Sequence, residues 1–164
     1  MSGTATTPWK VAKDYSSPRW AFMRRRKIGL EGDVYLDRLY ILTTPWFGIM
    51  FHRIFRPDNQ RDLHDHPWSF LSLVLRGSYV EDVPCANSRC CSPAEIGCAA
   101  PTHQRRVRWL NFKRAEDRHS IRSVSRRPIW TLVFTGPKRR TWGFWVDGGT
   151  RFVKWTDYSK LEQP

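Results

Sequence analysis

His64 and His66, separated by one residue, are the side chains of this chain whose type and spacing point most directly to chemistry. In an extended strand, side chains at i and i+2 leave the same face, so these two imidazoles would lie side by side. His119, in a second strand-like stretch, is placed to supply a third nitrogen. Two histidines from one strand and one from another can hold a first-row transition metal while leaving coordination positions open. The alternative is ordinary surface or core histidines, and the spacing alone does not decide between the two.

An apolar strand follows the histidine pair and ends in a turn at residues 76–78. If the strand continues regularly through Pro67, three side chains share the inward parity of the histidines and three face outward, where they need cover. The inward set is Phe70, Ser72 and Val74, and the outward set is Leu71, Leu73 and Leu75. A bulge at Pro67 would exchange the two sets. The N-terminal segment or a second subunit would cover the outward leucines.

The stretch from His64 to Gly77 resembles the first motif of the cupin superfamily, in which H-x-H precedes a Glu and then a Gly. Counting back seven residues from Gly77 places Phe70 where that motif has its Glu. The residues around His119 resemble the second motif, without its usual Pro-x-Gly. The resemblance covers roughly residues 35–155, and the chain is also similar to uncharacterised small cupin-like proteins of bacteria and bacteriophages.

A cupin with three histidines and no Glu resembles the cysteine and thiol dioxygenases. That resemblance implies Fe(II) on His64, His66 and His119, with zinc, nickel or manganese as alternatives. It also implies an arginine from an upstream strand that clamps a substrate carboxylate, for which Arg38 and Arg53 are the candidates. With no Glu ligand, the metal charge is expected to be uncompensated and to favour a thiolate or carboxylate. Position 71 is Leu, so the Cys–Tyr crosslink of some dioxygenases has no counterpart here.

Short segments rich in Val, Ile, Phe, Tyr and Trp, separated by Pro, Gly, Asp and Asn, recur from Tyr35 onward and predict an all-β domain. The predicted strands are Tyr35–Thr43, Phe47–Phe55, Leu63–His66, Ser69–Arg76, Tyr79–Val83, Arg105–Phe112, His119–Val124, Ile129–Thr135, Trp142–Val146 and Phe152–Trp155. So many short strands in one domain indicate a sandwich or barrel, and with the resemblance a cupin-like double-stranded β-helix, or jelly roll. We expect residues 28–164 to form this barrel. Residues 1–27 are expected to form an arm and a basic segment, the latter a short helix or a cover for the barrel.

The chain carries a net charge of +13, and 21 of its 28 basic residues are Arg. Such an excess attracts anions, either nucleic acid or small phosphorylated and carboxylated molecules. The alternative is a solvated basic surface produced by Arg-rich codon usage. We expect weak, sequence-independent nucleic-acid binding and do not take it as the function.

All four cysteines lie between the two histidine motifs. They are Cys85, Cys90, Cys91 and Cys98. Four thiols so close together raise the possibility of a structural zinc site, with His103 as a further ligand. The spacing lacks a C-x₂-C pair, so a surface loop with free cysteines is the preferred interpretation.

Two functions remain open from the sequence. The first is a mononuclear Fe(II) oxygenase that acts on a small anionic or thiol-containing substrate. The second is a non-catalytic cupin module whose basic surface engages nucleic acid or nucleotides. The chain shows neither a membrane span nor a signal-peptide pattern, so we expect a cytoplasmic protein. Because cupin-like proteins commonly pair through their sheets, the resemblance also implies a homodimer.

Overall fold

The computed structural model describes residues 18–30, 33–58, 62–85, 102–125 and 128–158, and nearly all regular structure in these ranges is strand. The strands are β1 (Ala21–Leu30), β2 (Asp33–Thr43), β3 (Gly48–Ile54), β4 (Leu63–His64), β5 (Phe70–Arg76), β6 (Tyr79–Pro84), β7 (Thr102–Val107), β8 (Leu110–Lys113), β9 (Ser120–Val124), β10 (Ile129–Thr135), β11 (Gly143–Val146) and β12 (Arg151–Lys154). One helical turn, α1, covers Trp155–Tyr158. Within the described ranges, no helix is long and apolar enough to cross a bilayer.

The strands form two layers of a jelly-roll barrel. One layer is a six-stranded sheet in the order β1-β2-β3-β10-β5-β8. The other contains two three-stranded sheets, β12-β11-β4 and β7-β6-β9. An isolated antiparallel bridge between His64 and His119 connects these two small sheets. The all-β, cupin-like fold predicted from the sequence is confirmed.

The core lies between the two layers because the strands alternate in burial. Strand β3, for example, buries every second residue along its whole length. The largest apolar cluster includes Ile28, Leu36, Ile54 and Ile129. Because side-chain direction alternates with a period of two residues, one face of each strand lies in the barrel interior, where the histidines also lie.

Two segments differ from the sequence-based expectation. Residues 21–27, expected to be a helix or a cover, belong to strand β1, which pairs antiparallel with β2. The expected domain boundary at residues 27 and 28 falls inside this strand. The single strand expected over 105–112 is divided at Arg108 and Trp109, because β7 pairs with β6 in one layer and β8 pairs with β5 in the other.

The predicted parity of strand β5 is confirmed. Phe70, Ser72 and Val74 are buried, whereas Leu71, Leu73 and Leu75 lie toward the outside. Strand pairing extends the outward leucines into two apolar rows across β3, β10, β5 and β8. One row is Phe51, Leu132, Leu73 and Leu110, and the other is Ile49, Phe134, Leu71 and Phe112. Leu110 is 61% and Phe112 58% exposed, so much of this outer face is open to solvent in one copy of the chain.

We expect a second copy of the chain to cover this outer face. An exposed apolar patch of this extent is typical of an interaction surface, and a flat sheet face can pair with itself about a two-fold axis. In sedimentation velocity at micromolar concentration, the wild type should be dimeric, and Leu73→Glu should be monomeric. Arg106→Glu, an exposed change in the other layer, serves as the control and should stay dimeric. A monomeric wild type would contradict the expectation.

Candidate metal centre

His64, His66 and His119 converge in the barrel interior, with one potential ligand atom from each residue within 4.8 Å of the other two. The convergence follows from strand pairing. His64 and His119 exchange two backbone hydrogen bonds of 2.9 Å each, so their side chains leave the same face as a cross-strand pair. His66 follows two residues later, and its Nε2 lies 2.8 Å from Nε2 of His119. The structure therefore brings together all three histidines predicted from the sequence.

A carboxylate that sequence reasoning missed lies directly behind His119. Glu81, fully buried on β6, accepts a hydrogen bond of 2.7 Å from Nδ1 of His119. It also pairs with Lys113 at 3.1 Å and with Arg105. With the proton on Nδ1, Nε2 of His119 keeps its lone pair for a metal, and the carboxylate increases the basicity of the ring. Glu81 is not among the three clustered candidate ligands, so it adds a carboxylate behind one histidine without replacing the Glu ligand of the cupin motif.

A second carboxylate lies near His64. Asp58 accepts a hydrogen bond from the Tyr35 hydroxyl and another, of 2.7 Å, from the backbone amide of Ile121. Its Oδ2 is 3.8 Å from Nδ1 of His64, too far for a hydrogen bond, and this nitrogen is buried without a partner. Each of these two histidines therefore has a carboxylate near its Nδ1 atom, at 3.8 Å for His64 and at 2.7 Å for His119.

Burial keeps His64 and His66 in the neutral form that metals require. Desolvation lowers the pKa of His64 to about 4 and holds that of His66 well below its usual range. Burial by itself would raise the pKa of Glu81. The hydrogen bond and charge of His119, together with Lys113 and Arg105, instead lower it to about 2. Two neutral imidazoles and a third ring that is hydrogen-bonded to a carboxylate form a donor set suited to a divalent cation.

A cavity of about 160 Å³ opens beside the three histidines. Aromatic and aliphatic side chains form most of its wall. Phe70 lies with its ring centroid 4.7 Å from that of His66 and 6.5 Å from that of His119. It therefore occupies the position beside the histidines that the cupin motif assigns to a Glu, as its parity predicted. An engineered protein cavity of roughly this volume binds benzene, so a ligand that fills the histidine cavity would be about as large as benzene.

Arg38 is the arginine from an upstream strand that lines this cavity. Its Nε donates a hydrogen bond of 2.9 Å to Nε2 of His52, and its Nη1 lies 3.4 Å from the Tyr40 hydroxyl. Burial, and then the charge of Arg38, hold the pKa of His52 well below its usual range, so this pair carries one positive charge. Arg38 is thus placed to meet an anion in the cavity.

Arg53, the other candidate clamp, lies on the opposite face of the six-stranded sheet. Its Nη2 pairs with Asp37 at 2.7 Å, and Arg25 pairs with the same carboxylate at 2.6 Å. The reason is parity, since His52 and Arg38 are cross-strand partners that point inward, while Arg53 and Asp37 are the adjacent pair that points outward. The expectation for Arg53 is therefore corrected, and Arg38 is the candidate that faces the histidines.

Asp65, between the two ligand histidines, anchors the strand rather than facing the cavity. Its carboxylate accepts hydrogen bonds from the amide of Gly143 at 2.9 Å and from the indole of Trp145 at 3.0 Å, and pairs with Arg140. Gly143 is required here because a Cβ atom would lie 2.1 Å from the Val153 carbonyl oxygen. These contacts tie β4 to β11 and fix the direction of the two imidazoles.

Cys85 and His103 lie close together at the open end of the β6–β7 pair, with Sγ 3.6 Å from Nδ1. The other three cysteines of the zinc hypothesis, Cys90, Cys91 and Cys98, lie outside the described residues. In the described part of the chain, the three histidines of the barrel are the one cluster of at least three potential metal ligands.

No protein-family model and no curated protein matches the chain. Solved structures resemble it at low identity. An RmlC-like cupin from Shewanella frigidimarina is 14% identical, with a TM-score of 0.46 over 76% of this chain and 95% of that one. A Streptomyces protein solved with uridine is 9% identical, with a TM-score of 0.48 over 87% of this chain and 97% of that one. The Fe(II) form of HppE is 10% identical, with a TM-score of 0.49 over 79% of this chain and 66% of that one.

The topology of the chain itself defines its class. Two facing layers in jelly-roll order enclose the histidine cavity, where the histidines of both sequence motifs meet. The chain is a cupin-like β-barrel with three converging histidines in its interior.

Proposed function

We propose that the chain is a mononuclear metalloenzyme, a three-His Fe(II) oxygenase that acts on a small anionic or thiol-containing substrate. The observation that carries this proposal is the convergence of His64, His66 and His119 within 4.8 Å on the wall of a cavity that Arg38 also lines. A metal held there by three imidazole ligands would retain coordination positions for a substrate.

The separation of two of the histidine nitrogens fits coordination to one metal ion. Two imidazole nitrogens, each about 2.0–2.1 Å from a shared ion, lie about 2.9–3.4 Å apart for bond angles between 90° and 109°. The separation of 2.8 Å between the Nε2 atoms of His66 and His119 is close to the short end of this range. Nδ1 of His64 has no hydrogen-bond partner, and the hydrogen bond from Nδ1 of His119 to Glu81 leaves Nε2 of His119, which lies 2.8 Å from Nε2 of His66, as the candidate ligand atom of that ring.

Fe(II), when bound, supplies the one-electron and O₂ chemistry that an oxygenase needs. The side chains of the chain supply the rest. Arg38 binds the carboxylate of the substrate and sets its orientation toward the histidines. Phe70 and the neighbouring apolar wall exclude water from the cavity. The cavity of about 160 Å³ limits the substrate to a molecule of roughly benzene size.

Metal content and O₂ uptake test the proposal. Protein purified without a His tag should bind one equivalent of Fe(II) and consume O₂ with a small thiol, faster if the thiol carries a carboxylate. Arg38→Leu should raise KM at least tenfold for the carboxylate-bearing thiol and leave KM for a thiol without carboxylate unchanged. Arg53→Leu, on the outer face, is the matched control and should change neither. Zinc, or no metal, with no O₂ uptake would contradict the oxygenase.

A binding module for nucleic acid is the second candidate, favoured by the exposed cations of two strands. Arg24 and Lys27 on β1 and Arg106 on β7 are exposed, as is Arg108, the first residue after β7. We expect binding to duplex and single-stranded DNA in gel shifts at low salt, lost at about 200 mM salt because counterion release no longer favours the complex. Charge reversal at Arg24 and Lys27 should weaken it further, while loss of the histidines should not. No shift at low salt would contradict this prediction.

A further inference from the structure

A second cavity, here called the Thr43 pocket, lies next to the histidine cavity. It encloses about 320 Å³ and shares Met50 and Trp68 with the wall of the histidine cavity. Tyr40 also lines the Thr43 pocket. Its hydroxyl lies 3.4 Å from Nη1 of Arg38, which lines the histidine cavity. The two cavities are thus neighbours that a thin layer of side chains separates.

Threonine hydroxyls form one side of this pocket. Thr43, Gly48 and Thr135 are cross-strand partners in a single row over β2, β3 and β10. The Thr43 hydroxyl is buried without a hydrogen-bond partner. The hydroxyl of the next residue, Thr44, does have one, because it donates to the Phe47 carbonyl in the turn between β2 and β3. Because Gly48 has no side chain, the row leaves a recess: a Cβ atom there would lie 2.7 Å from the Thr135 hydroxyl. A buried hydroxyl without a partner costs free energy unless a ligand satisfies it.

Two cations line the same pocket. Arg19 and Lys138 line the pocket, and both side chains are exposed. Neither takes part in an ion pair with another described residue. The loop that carries Lys138 is fixed on both sides, by hydrogen bonds from Gly136 to the Ser69 carbonyl at 2.9 Å and from Arg139 to the Pro67 carbonyl at 2.8 Å. The segment before β1 is held in a similar way, since Trp20 packs edge-to-face on Trp46 at 6.0 Å.

We propose that the Thr43 pocket binds the phosphate group of a small organic phosphate. Arg19 and Lys138 meet its charge, the threonine hydroxyls donate to its oxygens, and Met50 and Trp68 contact the organic part. Two cations together with a row of hydroxyl donors suit a dianion with several acceptor oxygens better than a carboxylate. This site is independent of the metal and of the proposed oxygenase activity.

Equilibrium dialysis with inorganic phosphate, phenyl phosphate and benzoate tests the proposal on the full chain. Phenyl phosphate should bind more tightly than inorganic phosphate, and benzoate more weakly than phenyl phosphate. The double variant Arg19→Ala/Lys138→Ala should lose at least tenfold in affinity for phenyl phosphate. The control double variant Arg24→Ala/Lys27→Ala removes the same charge outside the pocket and should lose less than twofold. Equal losses in the two double variants, or none in either, would overturn the site.

Two further variants test the hydroxyl row directly. Thr43→Val keeps the shape of the side chain and should weaken phenyl phosphate binding several-fold, and Gly48→Ala should do the same by filling the recess. Unchanged affinity in Thr43→Val would overturn the role of this hydroxyl and with it the assignment. Metal content is measured in parallel and should match that of the wild type in every variant. A failure of the phosphate site is thereby distinguishable from a failure of the metal centre.

Discussion

Simultaneous replacement of His64 and His66 by Ala is expected to abolish stoichiometric metal binding. His119 alone, even with Glu81 behind it at 2.7 Å, offers a divalent ion one nitrogen in a buried site. The wild type should also gain thermal stability on addition of metal, by about 2.7 kcal/mol at a hundredfold excess over Kd, and the double variant should gain none. Elemental analysis after dialysis and thermal unfolding with and without metal measure the two effects.

His103→Ala is the matched control because His103 lies outside the barrel interior and contacts Cys85. It should keep the full metal equivalent and the full gain in stability. Circular dichroism of the metal-free double variant checks that the barrel still folds. If it does not fold, the single variant His66→Gln, which keeps a polar group at this position, replaces it in the test. A full equivalent of metal in a folded double variant would place the site elsewhere, with the cysteines as the first alternative.

The histidine centre was predictable because its information is local and periodic. His64 and His66 share a face through the period of two in a strand, and Phe70 keeps that parity six residues later. The chain leaves regular strand geometry between β4 and β5, yet Pro67 does not exchange the two faces. The outward position of the β5 leucines follows from the same period.

The choice between Arg38 and Arg53 was not predictable from local periodicity. Each lies on a strand, and only the register between β2 and β3 shows that Arg38 is opposite His52. That register shifts between Tyr40 and Leu42 and depends on the turn that follows, where Thr44 bonds Phe47. Non-local pairing therefore determines which arginine enters the cavity.

Glu81 could have been identified from its parity, because it shares the inward face of β6 with the buried Tyr79. A carboxylate on an inward position needs partners, and here they come from distant strands. Lys113, Arg105 and His119 are each more than twenty residues away in the chain. The carboxylate signal was present in the sequence, but the identity of its partners required the fold.

Phe70→Glu is expected to raise metal affinity at least tenfold, or about 1.4 kcal/mol. The Phe70 ring lies 4.7 Å from that of His66, so a carboxylate at this position reaches a metal held by the three histidines. Opposite charge at short range draws the carboxylate into coordination and displaces water or an anionic ligand. Without metal the same carboxylate is buried among apolar side chains, so the metal-free variant should be less stable than the wild type. Addition of metal should restore that loss.

Phe70→Gln is the matched control for this experiment, since it has the same shape as Glu but no charge. It should be destabilised without a gain in metal affinity. Competition with a chelator measures affinity, and thermal unfolding with and without metal measures stability. If Phe70→Glu loses stability while metal affinity and content stay at the wild-type values, Phe70 packs away from the metal. The ion would then lie on the other side of the histidine rings, toward Trp142 and Phe144, whose rings lie 6.3 and 6.0 Å from that of His64.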